Sequence, residues 1–252
     1  MPGREVIVGD GIAWLRQVQL GPQHAIVTSV PDVSEMEAEG TSPQSRTSLA
    51  RWRQWAIDIA QLACERVAPT SVVVLYQTDI KVDGRHIDKG YLVHDGAERA
   101  GAHCLWHKIV CRTAPGNQTF GRPGYGHWLA FSRQLQIPSG ASTPDVIGEL
   151  GPMSWARATP LPALAATCRF LREHTACSVV VDPFCGWGTV LAVANEYGLD
   201  AVGVELSAKR ARKARRMTTH EGTIDLGNVR PEDAGPSDEA SDEASDEASD
   251  EG

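Results

Sequence analysis

The sequence "DPFCGWGT" at residues 182–189 stands between the apolar run "CSVVV" and the segment "VLAVANEYG". A β-branched run, a turn with two glycines and an apolar segment that ends at glycine predict a strand, a tight turn and a helix. Gly186 and Gly188 have no Cβ atom, so the backbone of this turn can approach a ligand closely. This arrangement is typical of the cofactor-binding start of an α/β domain, yet it begins about three-quarters of the way along the chain, where too little sequence remains to complete a sheet.

The spacing of glycines and carboxylates around this turn indicates the class of ligand. A dinucleotide fingerprint has a third glycine, and Leu191 occupies that position here, so a nucleoside ligand is favoured over a pyrophosphate. Seventeen residues after Gly188, Glu205 ends the run "VGVEL", where a carboxylate can accept hydrogen bonds from both ribose hydroxyls. The alternative is an ordinary strand–turn–helix corner with an acidic cap, which does not explain why Asp182 and Glu205 both fall at strand ends.

Composition and charge describe one folded body with an acidic tail. The chain has 252 residues, 42% of them apolar, which is enough for one sizeable core. Its net charge of −8 is misleading, because residues 231–252 hold ten acidic and no basic residues; without them, 22 acidic and 24 basic residues remain. We expect a catalytic domain over residues 1–220 and a disordered acidic tail over 221–252 that favours solubility or competes for a basic surface.

Other classes of protein are not indicated. No apolar run approaches the length of a membrane span, and the first residues lack a secretory apolar core. Six scattered cysteines without a CxxC pair suggest neither a metal site nor a disulfide framework. We therefore expect a cytoplasmic protein with reduced thiols.

The remaining pattern alternates strands and helices. The runs "VIVGD", "HAIVTSVPD", "TSVVVLYQTD", "HCLWHKIVCR" and "GHWLAFSR" predict strands. Apolar residues recur at helical spacing along 49–63, which predicts a helix packed on a sheet. Repeated βα units predict an α/β fold, a Rossmann-like, doubly wound and mostly parallel sheet.

The motifs, taken together, resemble one known family. "DPFCGWGT…GVEL" resembles the S-adenosylmethionine site of class I methyltransferases, especially the "DPFCGSGT" form in amino-methyltransferases of nucleic-acid bases. Many members are circularly permuted, and this chain is similar to them in order: "VIVGD…IVTSVPD" looks like their "GD…IVTSPPY", and "HCLWHK…GHWLAFSR" looks like their "WxK…HEYILVFSK". "SWARATPLPALAATCRFL" stands where they have an "HPTQKP…L" helix, without its His and Lys. The resemblance spans residues 5–216 and implies that the missing half of the sheet lies upstream.

The resemblance implies a set of site residues. The cofactor S-adenosyl-L-methionine is expected to contact Glu205 through its ribose, Asp10 near its adenine, and a loop formed by Asp182, Pro183, Phe184, Gly186, Gly188 and Thr189. The family's catalytic loop has Asp, Asn or Ser, then Pro-Pro and an aromatic residue. Here it is Ser29, Val30, Pro31 and Asp32, so a carboxylate replaces the stacking aromatic. Ser29 and the Val30 carbonyl can still accept from an amino group, and Asp32 can accept a hydrogen bond or a proton.

Several residues near the other strand ends are predicted to contact the substrate, with ordinary loop polarity as the alternative for the polar ones and a core position as the alternative for Trp106. These are Gln77, Lys81, Trp106, His107, Lys108, Arg122 and Tyr125. "KRARKARR" at 209–216 is either a solvated helix face or a nucleic-acid footprint.

Three functions remain open. The favoured one is a methyltransferase acting on RNA at a base nitrogen, because the core occupies nearly all of the ordered chain and leaves no target-recognition domain. The second is a DNA adenine- or cytosine-amino methyltransferase. The third is a cofactor-binding but catalytically idle subunit that supports a partner, and the sequence also leaves a homodimer open.

Overall fold

The computed structural model describes residues 2–32, 46–120, 122–138, 141, 143–148, 151, 153–154 and 158–225. In this part of the chain the strands are β1 (Arg4–Val8), β2 (His24–Thr28), β3 (Val73–Gln77), β4 (Ile80–Val82), β5 (Arg85–Ile87), β6 (His103–Cys111), β7 (Tyr125–Ser132), β8 (Val146–Ile147), β9 (Val179–Asp182), β10 (Asp200–Glu205), β11 (Thr218–His220) and β12 (Thr223–Asp225). The helices are α1 (Gly11–Gln17), α2 (Arg46–Arg66), α3 (Lys89–Arg99), α4 (Leu161–His174), α5 (Thr189–Glu196) and α6 (Ala208–Arg216).

Eight of the strands form one sheet in the order β1-β10-β9-β2-β3-β7-β6-β8. The first five of these are parallel, whereas β7 is antiparallel to β3 and to β6. The late strands β9 and β10 lie between the early strands β1 and β2, so the sheet that the turn at 182–189 requires is supplied by the upstream chain. The mostly parallel, Rossmann-like α/β fold predicted from the sequence is confirmed.

Strand residues alternate between two cores, one on each face of the sheet. Val74 packs in one core and the adjacent Leu75 in the other, as the two-residue side-chain period of a strand requires. Helices α1, α2 and α3 cover the face that holds Leu75, and helices α4, α5 and α6 cover the opposite face. Burial on both faces explains the continuous apolar runs of the central strands.

Six elements of the described residues were not predicted from the sequence, namely helix α3 and the short strands β4, β5, β8, β11 and β12. Strands β4 and β5 form a hairpin whose turn contains Asp83 and Gly84, both with positive φ. Helix α3 begins after Asp88, whose carboxylate accepts from the backbone N–H of Tyr91 at 2.7 Å. Strands β11 and β12 pair with each other and extend the folded body to Asp225, past the boundary expected at residue 220. The rest of the predicted acidic tail lies outside the described residues.

In the part of the chain that the structure describes, no helix has the length and apolar character that a bilayer crossing requires.

Candidate active site

A pocket of about 360 Å³ opens where five parallel strands end. Its walls come from the residues that follow β1, β2, β9 and β10 and from the last residues of β3. Ligand sites of open α/β sheets lie at this edge, outside the carboxyl ends of the strands. The pocket is lined by ten of the predicted site residues: Asp10, Ser29, Pro31, Asp32, Gln77, Arg122, Pro183, Phe184, Gly186 and Glu205.

Asp182 connects two of the segments that border the pocket. It is buried, and its Oδ1 atom accepts from the Thr28 hydroxyl at 2.6 Å and from the backbone N–H of Phe184 at 3.0 Å. Burial raises the pKa of this carboxyl to about 7, although both hydrogen bonds act in the opposite direction; the nearby charge of Glu205 raises it further. Asp182 therefore joins the end of β2 to the turn after β9.

The two glycines of the turn are required by its shape. Gly186 and Gly188 have φ of 53° and 88°, in the left-handed region that other residues rarely adopt. A Cβ atom on Gly188 would lie 2.7 Å from the Cα atom of Ala214 on α6, so the turn could not pack against that helix. The hydroxyl of Thr189, the first residue of α5, is hydrogen-bonded to the hydroxyl of Ser154.

Glu205 is the acidic residue at the end of β10. Its Oε2 atom accepts from the backbone N–H of Gly186 at 3.0 Å, and its Oε1 atom accepts from that of Ser207 at 2.8 Å. These bonds orient the carboxylate at the pocket wall. Leu206, 68% exposed, adds an apolar surface to the same wall.

Asp10 caps helix α1 at the same edge of the pocket. Its carboxylate accepts from the backbone N–H groups of Ile12 at 2.8 Å and Ala13 at 3.2 Å. The next residue has to be glycine, because a Cβ atom on Gly11 would lie 1.9 Å from the Pro183 carbonyl oxygen. The start of α1 thus packs directly on the turn after β9.

The predicted catalytic loop follows β2 and lines the pocket opposite Glu205. Trp52 on α2 fixes this loop, since its indole N–H donates to the Pro31 carbonyl at 3.2 Å. Asp32 is 8% exposed and forms two ion pairs, one with the ammonium group of Lys89 and one with Nη2 of Arg122 at 2.9 Å. The carboxylate that replaces the family's aromatic residue is therefore held between two cations, which favours a role as a fixed acceptor over a role as a base.

Lys89 is a pocket residue that the sequence analysis missed. It is the first residue of α3 and is 5% exposed, and its backbone N–H donates to Asp79 at 2.8 Å. A cation at a helix N-terminus is unfavourable unless acidic groups compensate it, and Asp32 provides that compensation. The only signal in the sequence is Asp88, a helix-capping residue directly before "KGYLV".

Asp79 is the centre of a buried hydrogen-bond network behind the pocket. Its carboxylate also accepts from the side chains of His86 and His127, both at 2.9 Å. Burial alone would raise the pKa of Asp79, but the bonds from His127, Lys89 and His86 outweigh it and hold the pKa below its usual range. Asp79, Asp88 and His127 bring one potential metal ligand each within 4.8 Å, but these hydrogen bonds and the capping role of Asp88 account for the grouping.

Two of the predicted substrate residues belong to the packing of the protein instead. The Trp106 ring packs at a tilt against Trp128 and edge-on against Phe170, with ring centroids 4.4 and 5.7 Å away, in the core under α4. Lys108 is buried, and its ammonium group is paired with Asp145 at 2.8 Å. Substrate contact by these two side chains does not agree with the structure, because both are already engaged away from the pocket.

Three further predicted residues lie on the surface outside the pocket lining. Lys81 is exposed and donates to the Phe120 carbonyl at 3.5 Å. His107 is hydrogen-bonded to His127 at 2.9 Å, and the Tyr125 ring packs edge-on against the His127 imidazole. Burial and the neighbouring His127 lower the pKa of His107.

Cations surround the pocket. Lys89, Arg112, Arg122 and Arg210 all line it, the last of these from the basic helix α6. Other basic residues of α6 serve the fold: Lys213 lies 3.8 Å above the Trp187 ring, and Arg215 donates to the Val6 carbonyl at 2.7 Å. Lys89 is buried and paired with Asp32, whereas Arg112, Arg122 and Arg210 are partly exposed. These three arginines form a pocket rim that suits a substrate that carries phosphates.

The fold is similar to those of solved DNA methylases and methyltransferases, and two of the matched structures contain S-adenosylmethionine. The putative DNA modification methylase TTHA0409 from Thermus thermophilus, solved with S-adenosyl-L-methionine, matches with a TM-score of 0.62 and 19% identity over 84% of this chain and 91% of its own. The PvuII DNA methyltransferase, which is cytosine-N4-specific, matches with a TM-score of 0.64 and 12% identity over 83% and 84%. The M1.HpyAVI–SAM complex matches with a TM-score of 0.55 and 12% identity over 84% and 98%. No family model and no curated protein sequence matches the chain.

Proposed function

We propose that this protein is an S-adenosylmethionine-dependent methyltransferase that modifies the exocyclic amino group of adenine or cytosine in DNA. The observation that carries the proposal is a single pocket that joins the Glu205 carboxylate to the loop from Ser29 to Asp32. One cavity can therefore hold a nucleoside cofactor at one end and an acceptor base at the other.

The residues at the Glu205 end fit the cofactor. The Glu205 carboxylate, oriented by two backbone N–H groups, lies in the pocket wall where ribose hydroxyls would donate, and Ile12 and Leu206 offer apolar contacts for a base. Gly186 has no side chain that could fill the space at the turn after β9. When bound, the cofactor supplies a methyl group on a positively charged sulfur, which is a good leaving group. The circularly permuted order of motifs belongs to the same proposal, since β9 and β10 come late in the chain but central in the sheet.

The protein's contribution is chiefly to position the acceptor. Ser29 or the Val30 carbonyl would accept a hydrogen from the target amino group, which helps to direct the nitrogen lone pair toward the methyl group. As the carbon–sulfur bond breaks and the carbon–nitrogen bond forms, the nitrogen becomes positively charged and releases a proton, which solvent at the open side of the pocket would take up. Asp32, held by Lys89 and Arg122, would fix the shape of the loop that positions the amino group. The cations of the pocket rim would hold the phosphates that flank an extruded base.

We propose DNA as the substrate, in place of the RNA that the sequence alone favours. Two of the matched structures are named as DNA methylases or methyltransferases, and this supports the second of the three functions considered from the sequence. A folded core that occupies most of the described residues is compatible with either substrate.

The test uses the full chain. Calorimetry with S-adenosylmethionine and S-adenosylhomocysteine measures cofactor binding, and transfer of a labelled methyl group to unmethylated duplex DNA and to RNA measures activity. Mass spectrometry of the digested nucleosides then identifies the modified base. Transfer to an adenine or cytosine amino group in DNA is the expected result. No affinity for either compound would contradict the proposal, and affinity without transfer would favour the idle subunit.

A further inference from the structure

Gln77 is a buried polar residue of the pocket whose side chain has no partner in the protein. It is the last residue of β3, lies opposite His127 on β7 and is 1% exposed. Both its amide oxygen and its amide nitrogen lack a hydrogen-bond partner within the described ranges of the chain, although Gln77 lines the pocket.

An amide in this state requires an explanation. Leaving a buried donor or acceptor unpaired costs about 1–3 kcal/mol, and folded proteins rarely keep such groups. A purely structural residue at this position would be apolar, as Val73, Val74 and Leu75 are in the same strand. An amide at the wall of a ligand pocket is accounted for when the ligand brings the missing partners.

We propose that Gln77 is the specificity-determining residue that recognises the acceptor base. Its amide oxygen accepts from the exocyclic amino group, and its amide N–H donates to the adjacent ring nitrogen. Adenine and cytosine both offer this donor–acceptor pair, through N6 and N1 or through N4 and N3. The inference rests on the proposed function and deepens it by assigning the reading of the base edge to one side chain.

The positions of Gln77 and of the loop after β2 agree with this role. Strands β2 and β3 are parallel neighbours, with Thr28 opposite Leu75, so Ser29 and Gln77 lie at the same end of adjacent strands. Adjacent strands are about 4.8 Å apart, a distance that one amino group can bridge. Ser29 or the Val30 carbonyl can then accept one hydrogen of the target amino group while Gln77 accepts the other.

The same geometry excludes other bases. Thymine has no exocyclic amino group. Guanine presents a ring N–H next to its amino group, so the amide nitrogen of Gln77 would face another donor and stay unpaired. A buried amide that must remain half-unpaired rejects a substrate more strongly than an apolar wall would.

The test compares natural and altered bases in wild type and in Gln77→Leu. Duplex oligonucleotides carry either the natural target base or its analogue without the ring nitrogen, 1-deazaadenine or 3-deazacytosine. Wild type should lose about ten- to a hundredfold in kcat/KM on the analogue. Gln77→Leu should be slow on both and no longer discriminate between them. The control is Gln61→Leu, because Gln61 is on α2 outside the pocket lining and its amide is bonded to Glu65 at 2.8 Å.

Two further measurements separate the possible failures. Gln77→Leu should be at least as stable as wild type, because it removes two unpaired polar atoms at similar volume, and its affinity for S-adenosylhomocysteine should not change. Binding of the same oligonucleotides in the presence of S-adenosylhomocysteine is measured in parallel. Binding without methyl transfer would contradict the proposed function only. Equal affinity or turnover of wild type on natural and deaza oligonucleotides, or a clear loss of stability in Gln77→Leu, would overturn the assignment of Gln77.

Discussion

Lys89 and Asp32 form a buried ion pair in the wall of the pocket, with side chains 7% and 11% exposed. Removing one partner of such a pair leaves a charge without compensation in a place that water hardly reaches. We expect Asp32→Ala to lower the free energy of unfolding by about 3–5 kcal/mol, which urea denaturation would measure.

A double variant separates this structural role from a role in turnover. Asp32→Ala combined with Lys89→Met removes both charges of the pair and should recover much of the lost stability. If Asp32 also contributes to methyl transfer, the double variant stays inactive while it binds the cofactor normally. Wild-type stability in the single variant would show that the pair is not formed in solution.

Glu205 should determine cofactor affinity. Glu205→Ala removes the acceptor for the ribose hydroxyls and also the acceptor for the Gly186 and Ser207 N–H groups. We expect the affinity for S-adenosylhomocysteine to fall by about 1–3 kcal/mol, measured by calorimetry. Glu98→Ala is the control, because Glu98 is exposed on α3 and does not line the pocket. An equal effect of the two substitutions would contradict the assignment of Glu205 to the cofactor site.

Asp182 should make stability depend on pH in an unusual direction. Its pKa is raised to about 7 in the folded state, chiefly by burial, against an ordinary value near 3.8. Between these values the folded state binds more protons than the unfolded state, so this residue's contribution to stability falls as pH rises from about 4 to 7. Over this pH range, the contribution of Asp182 to the free energy of unfolding should fall by an amount on the order of 4 kcal/mol.

The measurement for Asp182 is a comparison with Asp182→Asn. Asn keeps an oxygen that accepts from Thr28 and Phe184 but does not ionise in this range. Denaturant unfolding of both proteins at about pH 5 and about pH 7.5, on either side of most of this titration, should show the variant gaining stability relative to wild type at the higher pH. An unchanged difference at the two pH values would mean that Asp182 does not titrate in this window.

Alanine substitutions at Gly188 and Gly84 should distinguish the energetic cost of backbone strain from that of a steric clash. Both have positive φ, of 88° and 71°, but a Cβ atom on Gly84 would meet nothing within 4 Å, whereas one on Gly188 would meet Ala214 at under 3 Å. Gly84→Ala should therefore cost about 1–2 kcal/mol from strain alone, and Gly188→Ala should cost clearly more. Thermal unfolding of the two variants measures the difference. Similar melting temperatures would indicate that the turn can move away from α6.

The fold could be predicted from the sequence because local patterns determine it. The β-branched run around Leu75 and the glycine turn after Asp182 carry period, length and conformational signals within a few residues of one another. The carboxylates at the strand ends could be placed for the same reason, since parallel strands end at the same edge of a sheet.

The contacts between side chains could not be predicted in the same way. Trp106 and His107 are adjacent in a strand and face different surroundings, and the sequence does not show which face borders a core and which borders solvent. Lys89 reaches Asp32 from 57 positions away, through a helix whose start carries a single capping signal. Long-range pairs of this kind follow from the assembled sheet rather than from any local pattern.

The placement of β9 and β10 between β1 and β2 has a consequence for how the protein is made. Strand β1 pairs with β10, and Val6 lies opposite Gly203. Because these residues are far apart in the sequence, the ribosome synthesises β1 long before β10. Contacts so distant along the chain slow folding, since a large loop must close before they form. Until β9 and β10 have emerged, β1 and β2 lack the strands that lie between them, and the pocket lacks the walls that Pro183 and Glu205 provide. Chaperone dependence during synthesis should therefore be set by the exit of β10 rather than by overall length.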